Sequence, residues 1–539
     1  MALTKAKFGV ISSALASGNA TDGYVLTADG SGNSAWEEVA GGPTHKTFGT
    51  SSIMIGDTTT GTIDAANYNV GLGVDVFNTL TSGDSNIAIG HQALYLNTTG
   101  SRNVSIGHGG LYNNTASDNT AVGYFAMLAT TTGGSNVAVG SYALDANTTG
   151  VSNTAVGKGA LSTATTASSN TAMGANALNA CTTGATNTAI GSGAGEAITT
   201  GTRNVAVGSN ALDAMTTGYN STAVGHAALT ANTTANSNTA IGAFSMENNT
   251  TGAANTAVGE GALLNNTTGS SNVAIGYTAL FDFTGNNTVA VGYAALANAT
   301  GANNTGLGHQ TGENITTGQY NTCVGHNAGN TMTSPTYNTL VGYNAGQGSH
   351  PLTTGSSCTM VGALARPSGT LGNASGENVF GFNMSASGAS TTTLGSGGSG
   401  LYASHGSTSW SAISDERYKK DIVDSEVGLS FINDLRPRNF KWKTCGEVPN
   451  DTPRYEEGSD ELIHPNLTGV MHGFIAQEVK SVIDNHSEVP NNQLIWKESP
   501  DGMQGLAEGE LVPALVKAVQ ELSAKNDALE ARIETLEGE

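Results

Sequence analysis

The stretch AVGHAALTANTTANSNTAIG, residues 223–242, opens and closes on one phrase: a small residue, an aliphatic residue and a glycine. That phrase recurs along the chain. Its glycines stand at Gly56, Gly73, Gly90, Gly107, Gly123, Gly140 and onward to Gly342, at a spacing of 17 with three steps of 16. A fixed short period sustained over that length is the signature of a solenoid, in which each repeat supplies one rung and buries its apolar side against the next.

The columns of the repeat predict its local structure. From Gly90 onward a β-branched residue stands three before each glycine (Ile87, Val104, Thr120, Val137, Thr154, to Thr339) and an aliphatic residue one before it (Ile89, Ile106, Val122, to Val341). Between them lies a small residue, usually alanine. Period-two alternation with β-branched enrichment predicts a short strand with one apolar face and one face of small side chains. The alanine face is expected to receive another sheet or subunit at close range. A second glycine follows ten residues later, as at Gly100, Gly150, Gly184, Gly218 and Gly252, and predicts a corner. Asparagine recurs four before the first glycine (Asn86, Asn103, Asn119, Asn136, Asn153), broken at Ser221 and Thr288. Stacked amides at one rung position predict a hydrogen-bonded ladder.

The phrases NTAVG, SNVAVG and SNVAIG, each followed by a pair such as Ala143-Leu144, resemble the head repeats of trimeric autotransporter adhesins and the similar repeats of phage tail fibres. The resemblance covers roughly residues 50–345 and implies a left-handed parallel β-roll in each of three parallel chains.

Composition narrows the functional classes. Only 12% of the residues are charged and 73 of 539 are glycine, a balance that suits a repetitive scaffold better than an ordinary enzyme. The charges are unevenly placed: residues 1–413 hold 7 Lys/Arg and 17 Asp/Glu, residues 414–539 hold 13 and 25. A net charge of -22 without a basic stripe excludes nucleic acid as a partner. The amino terminus has no signal-peptide core and no run of about 18 apolar residues occurs, so synthesis in a cytoplasm is expected. Cys181, Cys323, Cys358 and Cys445 show no paired spacing, so neither a disulfide framework nor a zinc site is expected.

Carboxylates are sparse in the repeats (Asp145, Glu196, Asp213, Glu247, Glu260, Asp282, Glu313), and no pair suited to glycoside cleavage stands out. Histidines follow the glycine at His91, His108, His226, His309 and His326, where three-fold symmetry would gather them as metal ligands. The same column also holds Tyr124, Lys158, Glu260, Tyr277 and Tyr293, the mixture of a solvent-facing position. No metal and no cofactor are expected.

The ends differ from the repeats. DGYVLTADGSGNSAW, residues 22–36, resembles the amino-terminal region of some phage tail fibres, which implies attachment to the virion; a simple cap on the first rung is the other reading. From Ser414 the charges rise: SDERYKKDIVDSEVGLSFINDLRPRNFKWK carries Ile422, Leu429, Ile432 and Leu435 at helical spacing, closed by Pro437 before a strand around Phe440 and Trp442. In the last stretch Leu515, Leu522, Leu529 and Leu536 recur every seven, interleaved with Val512, Val519, Asn526 and Ile533. Such a seam predicts a coiled coil of parallel chains, with Asn526 setting register.

The order SDERYKKDI, GLSFINDLRPRNFKW, HGFIAQEV and a terminal coiled coil resembles the intramolecular chaperone domain of phage tailspikes and fibres, the endosialidase type. The resemblance covers all of residues 414–539. It implies a domain that trimerises, aligns the preceding fibre and then cuts itself off. Carried over, the scissile bond joins Ile413 to Ser414, with Ser414 as nucleophile and Lys419 as the dyad lysine. On one continuous helix, positions five apart point about 140° away from each other. Ser414 must therefore precede any helix, or the two groups meet across subunits. The plainer reading has Ser414 or Asp415 capping a helix.

These readings give a mostly β chain: an amino-terminal virion-attachment or capping segment (1–45), a β-solenoid shaft of 17-residue repeats (46–350), a Gly/Ser/Thr-rich distal region (351–413) and a small α+β chaperone domain (414–539) with a coiled coil at 511–537. The expected molecule is a homotrimeric phage tail fibre in the virion. Its expected partners are baseplate or tail proteins at the amino terminus and a host cell-surface receptor, glycan or protein. An enzymatic tailspike that degrades surface polysaccharide and a cellular trimeric adhesin are the alternatives.

Overall fold

The computed structural model describes residues 24–28, 34–38, 45–48, 52–56 and 65–538, the last with breaks at 349–350, 369–372, 491–494 and 500–501 and at positions 398, 408, 413, 415, 453 and 466. The expected amino-terminal segment lies largely outside these residues. Its described part includes a hairpin of Tyr24–Ala28 against Ser34–Glu38. The chain divides into two compact units, Met1–Ile413 and Ser414–Glu539.

In the first unit, twenty short strands from Ser52–Gly56 to Asn378–Phe380 pair in parallel, each with the next in sequence, as a β-solenoid of about 19 turns. Register is kept one to one: Thr154 pairs with Val137 and Thr171, and Ala155 with Ala138 and Ala172. The three 16-residue rungs are shortened at the Thr-Thr-Gly corner, so strand pairing is unshifted, with Val104 opposite Thr120, Val273 opposite Val289 and Val289 opposite Thr305. Past the expected shaft limit at residue 350, Thr359–Val361 and Asn378–Phe380 stack on as two more rungs. Thr391–Ser396 continues the stack in parallel and turns back as a hairpin onto Ser399–Ser404.

The rung Gly140–Val156 shows how the sequence makes the coil. Ala138 and Ala155 point inward, fully buried, together with Ala143 and Leu144 of the facing turn. The coil is narrow, and one methyl from the strand wall with one leucine from the other wall occupies it, leaving neither exposed. The alanine column therefore lines its own coil, in contrast to the expected contact with another sheet or subunit. The β-branched and aliphatic columns face outward: Val137 and Val139 are each 37% exposed.

Three residues per rung take left-handed backbone conformations, here Tyr142, Leu144 and Ser152 with φ of 57, 54 and 57 degrees. Gly140 itself has φ +141, and a β-carbon there would sit 2.4 Å from the Gly157 carbonyl oxygen, so only glycine fits this stacked turn.

A buried amide ladder runs beside the strands. The Asn153 Nδ2 donates to Asn136 Oδ1 (3.2 Å) and to the Ala167 carbonyl (2.8 Å), while Asn136 Oδ1 also accepts from the Asn153 backbone N–H (2.9 Å). Each side chain thereby satisfies groups on neighbouring rungs that would otherwise be buried unpaired. Where Ser221 interrupts the column, Asn232 Nδ2 serves the Ala235 carbonyl (3.4 Å); where Thr288 does, Asn304 Nδ2 serves the Gly301 carbonyl (2.8 Å).

Among the described residues the second unit holds three α-helices: α1 (Leu429–Asp434), α2 (Ala476–Asn485) and α3 (Val512–Glu537). Arg438–Phe440 pairs antiparallel with Met471–Gly473, and Trp496–Glu498 with Gln504–Leu506. Phe431, Val479, Ile495, Leu511 and Ala514 form its small core. The helix expected to begin near Ile422 is shorter. Ile422 is 63% exposed, Asp421 has φ +55, and α1 starts only after Gly428, where Glu521 of α3 accepts from the Leu429 N–H (2.8 Å).

The seam residues of α3 are open to solvent in the single chain: Leu515 is 45%, Leu522 56%, Leu529 58% and Leu536 65% exposed. Asn526 Nδ2 donates to Glu530 Oε1 (2.8 Å).

Candidate functional site

Ser414 is the first residue of the second unit. A single 3-10 turn, Glu416–Tyr418, separates it from Lys419, whose backbone N–H donates to the Glu416 carbonyl (3.0 Å). One tight turn folds the lysine stem back, and Lys419 Nζ donates to Ser414 Oγ at 2.7 Å. The two groups meet within one chain because Ser414 stands before the turn. Both residues are exposed in the single chain. The third residue of the expected site, Ile413, lies outside the described residues, as does Asp415.

Chemically, an amine in contact with a hydroxyl can take its proton and leave an alkoxide nucleophile. Lysine does this only as the free amine, and exclusion of water favours that form. The geometry for the pair is in place, and cover from solvent is the further requirement.

Two clusters in the same unit escaped the sequence reading. His486, at the C-terminal end of α2 and only 9% exposed, meets Asp434 of α1 through Nε2 (2.8 Å) and Glu488 through Nδ1 (2.6 Å). Its ring lies edge-on to Phe431, with centroids 5.5 Å apart. Two carboxylates, one on each nitrogen, require both nitrogens to donate, which only the imidazolium does. Glu488 first, then Asp434, hold the His486 pKa above its ordinary value, and His486 in turn lowers that of Glu488. Arg438 grips Glu478 with two hydrogen bonds (2.8 and 2.5 Å), and this contact holds the Glu478 carboxyl below the usual range. Asp434 stands 52 residues from His486 and Arg438 40 from Glu478, so only the His486–Glu488 contact, two residues apart, is local in the sequence.

In the shaft, the histidines after the glycines stack on neighbouring rungs: His91 on His108 and His309 on His326, each with centroids 4.9 Å apart. Tyr124, Tyr293 and Tyr343 extend the two stacks. Over these two stretches the column is an aromatic ladder, in which each ring covers the face of the next; between them it holds Ser141, Lys158, Ala175, Ser192 and Ser209, and His226 lies edge-on to Phe244.

The segment that opens on Ser414 and holds the Ser414–Lys419 contact and both clusters has a recognisable counterpart. Residues 414–488 match the family model described as chaperone of endosialidase. No curated protein matches the chain. The endosialidase-chaperone segment spans the 3-10 turn, α1, the strand pair and α2, and ends at Glu488; α3 with its apolar seam lies beyond it. A chaperone segment of this kind behind a β-solenoid shaft is the composition of a trimeric fibre-like protein.

Proposed function

We propose that the chain is a homotrimeric phage tail fibre for host adsorption, whose C-terminal unit drives trimerisation and is then released by cleavage between Ile413 and Ser414. The observation that carries this reading is the 2.7 Å contact of Lys419 Nζ with Ser414 Oγ at the first residue of the endosialidase-chaperone match. In the proposed reaction Lys419 takes the Ser414 hydroxyl proton, and Oγ attacks the Ile413 carbonyl carbon. The C–N bond breaks as the Ser414 amine accepts that proton. Water then hydrolyses the ester, leaving a carboxylate on Ile413 and the serine hydroxyl restored. Because the pair is exposed in one chain, the reading ties cleavage to assembly, which covers it.

The need for such a device follows from the shaft. Rungs with near-identical columns specify alignment poorly, since a slip by one whole rung preserves almost every contact. An independently associating end fixes alignment, and its removal afterwards traps the product kinetically. The amino-terminal segment is assigned to the virion, docking on baseplate or tail proteins, and the receptor to the host surface.

Intact mass of freshly purified protein tests the proposal. Wild type is expected to yield a fragment ending at Ile413, whereas Ser414→Ala and Lys419→Arg stay whole. Arginine keeps the cationic donor but does not release its proton, so undiminished cleavage in Lys419→Arg removes the lysine from its role. A wild-type chain that stays whole in its assembled form overturns the cleavage.

A further inference from the structure

We infer that the turn wall of the shaft binds one uncharged hexopyranose ring of a surface glycan, in the cleft over Ala294 and Ala297. This deepens the adsorption reading above and rests on it for the source of the glycan, the host surface.

The cleft is written into the repeat. In the rungs from Gly73 to Gly342 the residue five after the glycine varies widely, as at Tyr112, Leu128, Asp145 and Phe281, and is alanine only at Ala297. The residue two after the glycine of that rung is also alanine, Ala294. Both are buried and form a floor. The rungs on either side carry full side chains, Thr278 and Phe281 before and Gln310 and Glu313 after, and stand two strand spacings apart, about 9–10 Å. Two short side chains between them leave a cleft of about 220 Å³. That is smaller than the about 300–1,000 Å³ of drug-sized sites and suits a single sugar ring.

Short side chains alone do not leave such a space. At the nearest counterpart, Gly159 with Ser162, Asn179 of the next rung reaches across, its Nδ2 donating to the Gly159 carbonyl (3.0 Å) and to Ser162 Oγ (2.8 Å). Over Ala297 the space stays open.

The walls define the ligand. A sugar ring offers an apolar C–H face and a rim of hydroxyls that both donate and accept. Phe281 supplies an apolar wall, seated on Gly261 of the preceding rung, where a β-carbon would lie 3.6 Å from its ring. Tyr293 is 48% exposed, yet its ring is held between Tyr277 and His309, with centroids 5.4 and 4.9 Å away. A side chain already fixed costs little to order on binding. The amides of Asn298 and Gln310 bond no other described residue. In the Asn298 column, by contrast, Asp282 Oδ1 accepts from Asn265 Nδ2 (2.7 Å) and Asn314 Nδ2 donates to Asn330 Oδ1 (2.7 Å). Glu313 Oε2 accepts from Asn330 Nδ2 (3.4 Å), which leaves Oε1 to accept from a hydroxyl. Donors and acceptors thus converge beside an aromatic wall, the composition of a small-molecule site. Charge sets the class of sugar. No lysine or arginine occurs from residue 204 to 365, so an anionic sugar would meet Glu313 with no cation to offset it.

Saturation-transfer NMR on the full chain tests the site, with glucose, galactose, mannose and N-acetylglucosamine each added at millimolar concentration. At least one is expected to bind, with a Kd on the order of 1 mM. Ala297→Leu fills the cleft with the residue that this column carries at Leu128 and Leu264, and is expected to weaken binding by about tenfold or more. Thr230→Leu, in the same column on a distant rung, is expected to bind as wild type. If Ala297→Leu fails to accumulate, Gln310→Ala replaces it, since alanine already stands in that column at Ala227 and Ala294. Binding of none of the four sugars, binding unchanged in the cleft variant, or binding confined to a charged sugar such as glucuronic acid overturns the inference. Mass measured on the same samples separates the two readings. A trimeric, cleaved chain that binds no sugar leaves the fibre reading standing, whereas sugar binding lost in Ala297→Leu on a chain neither trimeric nor cleaved upholds the site and overturns the fibre reading.

Discussion

At Gly225 the carbonyl of Gly242 lies where a β-carbon would go, 2.4 Å away, and φ is +141. Gly225→Ala must therefore break the stacked turn or shift a neighbouring rung. A local cost of about 3 kcal/mol is expected, seen as lost amide protection in that rung and the two beside it. The left-handed positions work in the opposite direction. Ala227 holds φ 53 with a side chain, so Ala227→Gly is expected to stabilise its rung by about 0.5–1 kcal/mol, measurable as slower local exchange. For the amide ladder, Asn187→Ala removes the donor to the Gly201 carbonyl (2.8 Å) and the acceptor for the Asn204 N–H (3.0 Å). Two buried partners are stranded, at a cost of about 2–4 kcal/mol. At the native Ser221 break the corner carbonyl of Ala235 still accepts from Asn232, whereas the corresponding position of the Asn187 rung is Ile198, which has no amide to offer.

Among the elements, the rung strand was legible and its orientation was not. Alternation tells which residues share a face, but not which face is inside. The inside is decided by volume: alanine from the strand and a leucine such as Leu144 from the facing turn fill the coil, which leaves Val137 and Val139 outside. The left-handed leucines were equally unreadable, because leucine has no preference for that region and is held there by the surrounding hydrogen bonds. In the second unit the heptads of α3 were plain. The short α1 was not, because apolar spacing continues through Ile422 where the backbone does not. Ser414 and Lys419 were legible as a motif, while the turn that joins them is a property of the fold.

The link between α1 and α2 through His486 carries its own expectation. Its pKa is raised in the folded unit, so the contribution is fully present below about pH 6.5 and is lost as pH rises through the higher folded value. Denaturant unfolding followed by tryptophan fluorescence is expected to show a midpoint that falls over that rise, with the slope removed in His486→Gln.

For the whole molecule, the proposed cleavage requires association to come before release. Leu522→Asp places a charge in the α3 seam and is expected to prevent accumulation of trimer, read by light scattering of the purified chain. The same variant is expected to stay uncleaved, because the Ser414–Lys419 pair then remains in water. Cleavage at wild-type yield in a Leu522→Asp monomer removes the coupling between assembly and chemistry.

The unshifted strand register across the three short rungs bears on how such a chain changes over generations. Losing one corner residue leaves every strand partner in place, as at Val104 with Thr120. An in-frame gain or loss of a whole repeat leaves them in place as well. Each such event alters reach by one strand spacing, about 4.8 Å, without touching the residues at either end. Shaft length and the residues at its ends can thus diverge separately under selection.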